Sequence, residues 1–432
     1  MTTPLSEETE VGSYFISNYP PFSFWSTESN AAAHDALERA PDSALPLGLY
    51  LHIPFCRKRC KFCYFRVYTD KNSKDVEAYL AALTREVELY SRLPVMNRPF
   101  RFAYFGGGTP SFLSAKQLLS LVDRLREHVS WDDADEVTFE CEPGTLTTGK
   151  LAAIRDLGVT RLSLGVENFN DRVLEENGRA HRSPEVFRTY DWARDVGFRQ
   201  INIDLIAGMV GETHENWRDC IAKTIELAPE SVTIYQMELP YNAVYAQGLQ
   251  DRQIAVANWA TKRRWVAEAF AELAAAGYQT SSAYTMVKDS SVRFVYRDAL
   301  WHGADMIGTG VASFSHVGGV HFQNLDGFDR YVERLDAGEL PLGRALKVTP
   351  RQLMIRELIL QLKLGRIEAD YFKTKYAIDV REEFRTVLAD LQSSGMLEER
   401  DESLRLTEAG LLRVDSLLPA FFEPQHQGAR YT

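Results

Sequence analysis

An open, partial (β/α)6 barrel of the TIM-like kind is the fold class that this 432-residue sequence predicts. Three observations carry that prediction. Six short, apolar, β-rich runs recur through the first 240 residues, and amphipathic stretches with helical spacing lie between them. A cysteine-rich stretch directly follows the first run, and a triple glycine follows the second. Strand alternating with helix makes βαβ units, hence a parallel sheet with helices outside. Six units are too few to close an eightfold barrel, and in such sheets the chemistry gathers at the carboxyl ends of the strands.

Residues 1–46 read as an N-terminal arm or lid. "MTTPLSEETEVGSYFISNYPPFSFW" begins acidic and turns aromatic, without the basic start and apolar core of a signal peptide. Its part "YFISNYPPFSFW" either covers a flat apolar substrate or packs under the barrel. The barrel proper spans residues 47–240. Its strands are "LGLYLHI" (47–53), "RFAYFGG" (101–107), "EVTFEC" (136–141), "RLSLGV" (161–166), "INIDLIAG" (201–208) and "SVTIYQM" (231–237). Stretches such as "DVEAYLAALTREVELYSRL" and "AKQLLSLVDRLREHV" supply the helices between them. Residues 241–345 extend the barrel on the substrate side. Residues 346–432 change texture: three helices, a short strand and a final helix predict a winged-helix-like α+β domain.

Composition narrows the function. The chain is 45% hydrophobic, enough for a large core, and its net charge of -11 gives no general attraction to nucleic acid. No stretch reads as a membrane span. Five cysteines without a framework of pairs argue for reduced thiols in the cytoplasm, available to a metal.

Three of the five crowd into "HIPFCRKRCKFCYF", spaced C-x3-C-x2-C. Structural zinc needs four ligands, usually two separated pairs, and only His52 offers a fourth here. Thioredoxin-like chemistry has no use for the extra Cys56. An iron–sulfur cluster held by Cys56, Cys60 and Cys63, with one iron left open, is the remaining reading.

With "YFGGGTPSFL", "RLSLGVENFNDRVLEENGRAH" and "INIDLIAGM" beside it, the cysteine stretch resembles the radical S-adenosylmethionine (radical SAM) enzymes. Within them it is similar to the HemN-like, oxygen-independent coproporphyrinogen III oxidase branch. The resemblance implies one 4Fe-4S cluster whose open iron chelates S-adenosylmethionine, and reductive cleavage of that cofactor to a 5'-deoxyadenosyl radical. It also implies an electron donor such as flavodoxin or ferredoxin. Tyr50, Gly107 and Glu140 match positions that contact the first cofactor. Phe62, Gly108, Thr109, Glu167, Arg179, Asp204 and the backbone of Met237 match a second S-adenosylmethionine site, with Phe314 as a further candidate. Read as residues alone, the glycines make a turn, Glu140 is a solvated strand end, Tyr50 is core, and Arg179 and Asp204 form an ion pair.

Two departures from the branch stand out. Phe65 occupies the place where its members carry a further cysteine, and Glu167 replaces a glutamine. The expected function is therefore radical methyl transfer or cyclopropanation at an sp2 carbon, using a second S-adenosylmethionine. The acceptor would be an aromatic, polyene or tetrapyrrole small molecule. Oxygen-independent coproporphyrinogen III oxidation is the alternative, with Arg293 and Arg297 facing propionates. A haem-binding carrier using His52, His302 or His321 is the third reading.

Overall fold

The computed structural model describes residue 8 and residues 18–42, 44–251, 253–400 and 403–429. The first four residues of the candidate lid, 14–17, lie outside the described residues.

The six strands expected from the sequence are present: β1 (Leu47–Ile53), β2 (Phe100–Gly107), β3 (Glu136–Cys141), β4 (Arg161–Glu167), β5 (Gln200–Ala207) and β6 (Ser231–Gln236). All five neighbouring pairs among them are parallel. The sheet does not stop there. Short β7 (Gln279–Thr280) and β8 (Thr285–Val287) add antiparallel strands beyond β6. On the other edge β9 (Asp305–Thr309) runs parallel to β1 and is followed by β10 (Phe314–Val317), β11 (Val320–Asn324) and β12 (Leu342–Lys347). The result is one twelve-stranded sheet in the order β12-β11-β10-β9-β1-β2-β3-β4-β5-β6-β8-β7, open at both ends. Strands of two to six residues carry too little periodicity to be read from sequence, so residues 241–345 show there only as an undivided extension.

The C-terminal module has its own core, built on Ile355, Ile359, Phe372, Leu388 and Leu404. A helix Pro350–Leu362 leads into Ala369–Tyr376, and a three-stranded sheet β13 (Arg366–Ile367), β15 (Ser403–Leu406), β14 (Leu397–Arg400) forms the wing. The third predicted helix is split at Phe384 into Val380–Glu383 and Arg385–Ser393. The described arm residues join this module to the sheet. Tyr19 is fully buried in the module's core, its carbonyl meets His321 Nε2 at 3.0 Å, and Trp25 stacks on His321.

One buried network fixes the end of β1, where the cysteine stretch begins. Helix Ser73–Ser91 starts at a capping box of Asn72 and Asp75 and buries Val76, Tyr79, Leu80, Leu83, Val87 and Tyr90 at helical spacing. The same face buries Glu86, which accepts from Tyr331 (2.5 Å), Asn324 Nδ2 (2.6 Å) and the Gly310 amide (2.7 Å). Tyr79 donates to the His52 carbonyl at 2.7 Å and accepts from the Val311 amide at 3.2 Å. Gly310 has φ +101, and a Cβ there would stand 2.5 Å from the Tyr79 hydroxyl.

Burial pushes the Glu86 carboxyl up to about 7, against the donors that favour its charge. An acid raised on folding lends stability below its unfolded value, near 4.5, and loses it as pH climbs through the folded one. Glu86→Gln is therefore expected to flatten the fall of thermal stability between about pH 5 and 7.5. The relative gain at the upper end is on the order of 3 kcal/mol, read by calorimetry of both proteins.

Candidate active site at the carboxyl ends of the strands

β1 and β2 pair in register, His52 opposite Gly106 and Ile53 opposite Gly107, so the loops beyond the two strands emerge side by side. The Gly108 amide extends the ladder by donating to the Ile53 carbonyl at 2.9 Å. The cysteine loop is closed by the Cys56 amide on the Tyr68 carbonyl, 3.1 Å, and the Tyr68 amide on the Pro54 carbonyl, 2.8 Å. It is held from outside by Asn242 Nδ2 on the Tyr64 carbonyl, 2.9 Å, and by the Tyr245 amide on the Lys61 carbonyl, 3.0 Å.

Cys56 Sγ accepts from the Thr109 hydroxyl and Cys60 Sγ from Arg179 Nη1, each at 3.3 Å. Burial raises the Cys56 thiol to about 11 and, with Cys60 beside it, the Cys63 thiol to about 12. Such thiols stay protonated at neutral pH until a metal takes the proton's place. Cys141 and Cys220 are buried elsewhere, in β3 and against the Phe169 amide. His52 is buried against Gly107 and pushed down to about 4, its Nε2 without a partner. Among the described residues no three His, Cys, Asp or Glu side chains converge on a single ion position. Three thiols without a fourth donor fit an iron–sulfur cube with one iron free, and they do not fit tetrahedral zinc. The glycines leave room beside them: a Cβ on Gly108 would stand 3.1 Å from Cys56 Sγ.

Behind the loop lies a chamber of carboxyl groups and tyrosines. Glu140 accepts from Tyr104 at 2.7 Å and from the Gly107 amide at 3.1 Å. Tyr50 stacks on Tyr104, and Tyr296 packs on Tyr104 with ring centres 4.3 Å apart. Glu167 has a left-handed backbone, φ 64, and lies 3.7 Å from Arg179. Non-glycine residues hold that conformation at a cost of about 1–3 kcal/mol, and it concentrates at functional sites. Burial raises Glu140 and Glu167 to about 7 each, and it raises Asp204 as well.

The structure alters several sequence expectations. Arg179 pairs with Glu167 and donates to the Gly165 carbonyl at 2.6 Å; Asp204 instead takes Ser163 (2.7 Å) and Asn202 (2.9 Å). The expected ion pair between Arg179 and Asp204 is thus replaced. Met237 and Phe62 share one apolar cluster, but the Met237 amide already donates to Ala207 and its carbonyl already accepts Lys262 Nζ, both at 2.8 Å. Phe314 packs edge-on to Trp25 of the arm. Arg297 is buried on Asp298 and Ser281, so it is not a loop arginine awaiting propionates. His321 has both nitrogens engaged, Nε2 on the Tyr19 carbonyl and Nδ1 on His316, which removes it from a haem-ligand role as it stands; exposed His302 bonds the Asp298 carbonyl through Nδ1 alone. Sequence reading missed Tyr104, Tyr235 and Tyr296. The available signal for Tyr104 and Tyr235 was the period-two run of polar, tyrosine or glycine positions on strands that are otherwise apolar: Tyr50 and His52, Tyr104 and Gly106, Thr138 and Glu140, Asn202 and Asp204, Thr233 and Tyr235; Tyr296 lies on the helix Val295–Trp301, which carries no such pattern.

Comparison with known proteins agrees with this geometry. The radical SAM superfamily matches residues 50–223, and the HemN C-terminal domain matches residues 348–413. An oxygen-independent coproporphyrinogen III oxidase of Pseudomonas aeruginosa is 28% identical over 89% of this chain and 87% of its own. The heme chaperone HemW of Bacillus subtilis is 28% identical over 86% and 98%. The solved structure of coproporphyrinogen III oxidase (HemN) from Escherichia coli superposes with a TM-score of 0.81 at 25% identity, covering 94% of this chain and 96% of that one.

Carboxyls that ionise near pH 7 attract a cation more as pH rises. S-adenosylmethionine is expected to bind the anaerobically reconstituted protein about tenfold more tightly at pH 8 than at pH 6. Glu167→Gln should reduce that gain, and S-adenosylhomocysteine, net neutral for want of the sulfonium charge, should show little of it, both read by isothermal titration calorimetry.

Proposed function

We propose that this chain, which belongs to the HemN-like branch of the radical SAM superfamily, uses two molecules of S-adenosylmethionine to alkylate an aromatic or polyene acceptor. A 4Fe-4S cluster on Cys56, Cys60 and Cys63 supplies, when bound, the electron that breaks a sulfonium carbon–sulfur bond. The chain's own residues do the rest. Gly106 to Gly108 present backbone beside the free iron's side of the loop, and Glu140 waits 3.1 Å from the Gly107 amide for a ribose hydroxyl or ammonium group. Arg179 is fixed to the loop through Cys60 and offers its guanidinium to a carboxylate.

The observation that carries the choice of acceptor is the chamber's charge. Glu140, Glu167 and Asp204 act on one another, and Arg179 is the cation set directly against Glu167. Sulfonium cofactors carry net positive charge and are suited to such a lining; a substrate with four carboxylates is repelled by it. Exposed Phe65, Tyr235, Tyr241 and Val244, on the cysteine loop and around the end of β6, offer an apolar rim to a flat uncharged acceptor. Methyl transfer or cyclopropanation at an sp2 carbon accords with a second cofactor position around Glu167 and Arg179.

The C-terminal module closes the far side. Gln236 Nε2 donates to the Leu412 carbonyl at 3.1 Å, and Tyr284, whose ring stacks on Tyr235, donates to Asp415 at 2.5 Å. Arg57, Lys58, Arg59 and Lys61 ring the cysteines with cations, three of them exposed, and suit an acidic carrier such as flavodoxin or ferredoxin.

Near-full-length likeness to the coproporphyrinogen III oxidases favours a second reading, oxidative decarboxylation of a tetrapyrrole propionate. Anaerobic turnover with dithionite separates the two. The first expects 5'-deoxyadenosine together with S-adenosylhomocysteine, and label from a methyl-labelled cofactor in the acceptor. The second expects 5'-deoxyadenosine with protoporphyrinogen IX and no S-adenosylhomocysteine. Cys56→Ala should drop 5'-deoxyadenosine below detection under either; cleavage that survives it removes both.

A further inference from the structure

His181 is fully buried two residues beyond Arg179, in the segment that follows β4. Its Nδ1 lies 3.1 Å from Glu142 Oε1, and its Nε2 lies 3.1 Å from the Val166 carbonyl oxygen. A neutral imidazole has one N–H and one lone pair. A carbonyl donates nothing, so Nε2 must carry a proton to bond Val166. Nδ1 then faces a carboxyl, and a second proton must lie between them. Otherwise a nitrogen lone pair would stand against an oxygen lone pair at bonding distance, inside a dry core.

The second proton has two possible homes. Glu142 also accepts from Arg57 Nη2, at 3.1 and 3.3 Å, and from the Gly144 amide at 3.2 Å. Burial works to raise its carboxyl, but His181, Arg179 and Arg57 together bring it below the usual range. A carboxylate with those donors is ionised, which leaves the proton on the ring. Burial, the largest influence, and the Arg179 charge press the ring below the ordinary imidazole range, against Glu142 and the Val166 carbonyl. The geometry argues the other way, because acceptors at both nitrogens leave no place for a lone pair, and it is on the geometry that the inference stands. Lys150 and Glu185 are the other charged groups close to Glu142.

We infer that His181 and Glu142 are a proton-holding pair, with His181 an imidazolium, and that His181 is a positioning residue for the charge at the cysteine loop. The pair reaches the loop at two points. Arg57 ties Glu142 to the residue after Cys56, and Arg179, beside His181, donates to Cys60 Sγ. A neutral His181 would leave the Glu142 charge less compensated next to Cys56, whose thiol it acts on. Three thiolates around a 4Fe-4S cube leave the whole anionic, and reduction adds one more negative charge. Arg57, Arg179 and the imidazolium offset that charge and favour the reduced form.

Two measurements test this, and neither depends on the acceptor or on methyl transfer. In full-length protein labelled with 15N-histidine and lacking the cluster, nitrogen NMR at pH 7 is expected to show protons on both ring nitrogens of His181. The signal is assigned by its loss in His181→Gln. A bare, unprotonated nitrogen on that ring overturns the inference, whatever the variant does to folding. In reconstituted protein, EPR-monitored reductive titration reads the cluster directly. His181→Gln is expected to cut the ratio of reduced to oxidised cluster about tenfold at a fixed poise, about 59 mV for one electron, and to weaken the pH dependence of the potential. A potential within error of the parent at every pH overturns it equally.

Discussion

Everything in this fold that bears on chemistry depends on one backbone register. β1 and β2 run parallel with Ile53 opposite Gly107, and the Gly108 amide adds one more rung by bonding the Ile53 carbonyl. That rung forces the cysteine loop and the triple glycine to leave the sheet as neighbours. A slip of one residue would turn Tyr50 and His52 to the helix side and bring apolar Leu51 into the chamber. The surrounding packing defends the register. The Phe102 ring crosses Gly48, where an added Cβ would stand 1.9 Å from it, and Glu86 with Tyr79 ties the end of β1 to the Gly310 turn.

The chamber sets a second constraint. Burying three carboxyl groups close together is unfavourable unless something offsets their charge, and the protein supplies the Arg179 guanidinium against Glu167 and the Arg161 charge near Asp204. With carboxyls raised to about 7, the empty site holds partly protonated acids at neutral pH. A cationic ligand favours the charged form, so binding a sulfonium releases protons, and its affinity rises with pH as that release becomes less costly. Against the glutamine that the family resemblance leads one to expect, Glu167 is therefore more than a change of hydrogen-bonding pattern. Glutamine has no proton to release, and the left-handed backbone at 167 keeps the acid aimed at Arg179.

The six barrel strands were legible in the sequence almost to the residue, because each is largely buried and bounded by turns. The cysteine loop and the glycines were legible for a different reason: their residue types are rare and their spacing is chemical. Short strands β7 to β12 were not legible, since their pairing is fixed by neighbours already in the sheet. The partners of charged residues were also hidden. Arg179 joins Glu167 rather than Asp204 because the bulge in the β4–β5 ladder between Gly165 and Glu167 turns the acid toward it. Arg297, read as a surface arginine, is buried because the helix Val295–Trp301 plugs the barrel floor, its first amides on Glu136. No local pattern announces such a plug. The described part of the aromatic arm proved to be a clasp: Tyr19 binds the C-terminal module to β11 through His321 and His426.

Phe65 gives the exposed rim its chemical meaning. Two residues beyond Cys63, a phenyl ring packs on Tyr64 with centres 4.4 Å apart and remains 44% exposed, where the family resemblance leads one to expect a cysteine. A thiol there would bring a weak S–H bond that surrenders hydrogen readily to a carbon radical. Phenylalanine has no such bond. It adds ring surface beside Tyr64, and the Tyr64 carbonyl is held by Asn242, next to exposed Tyr241. The site thus carries a flat apolar contact and no S–H hydrogen donor at this position. That choice accords with the proposed addition of a radical to an unsaturated carbon, where the radical must survive until it meets a ring.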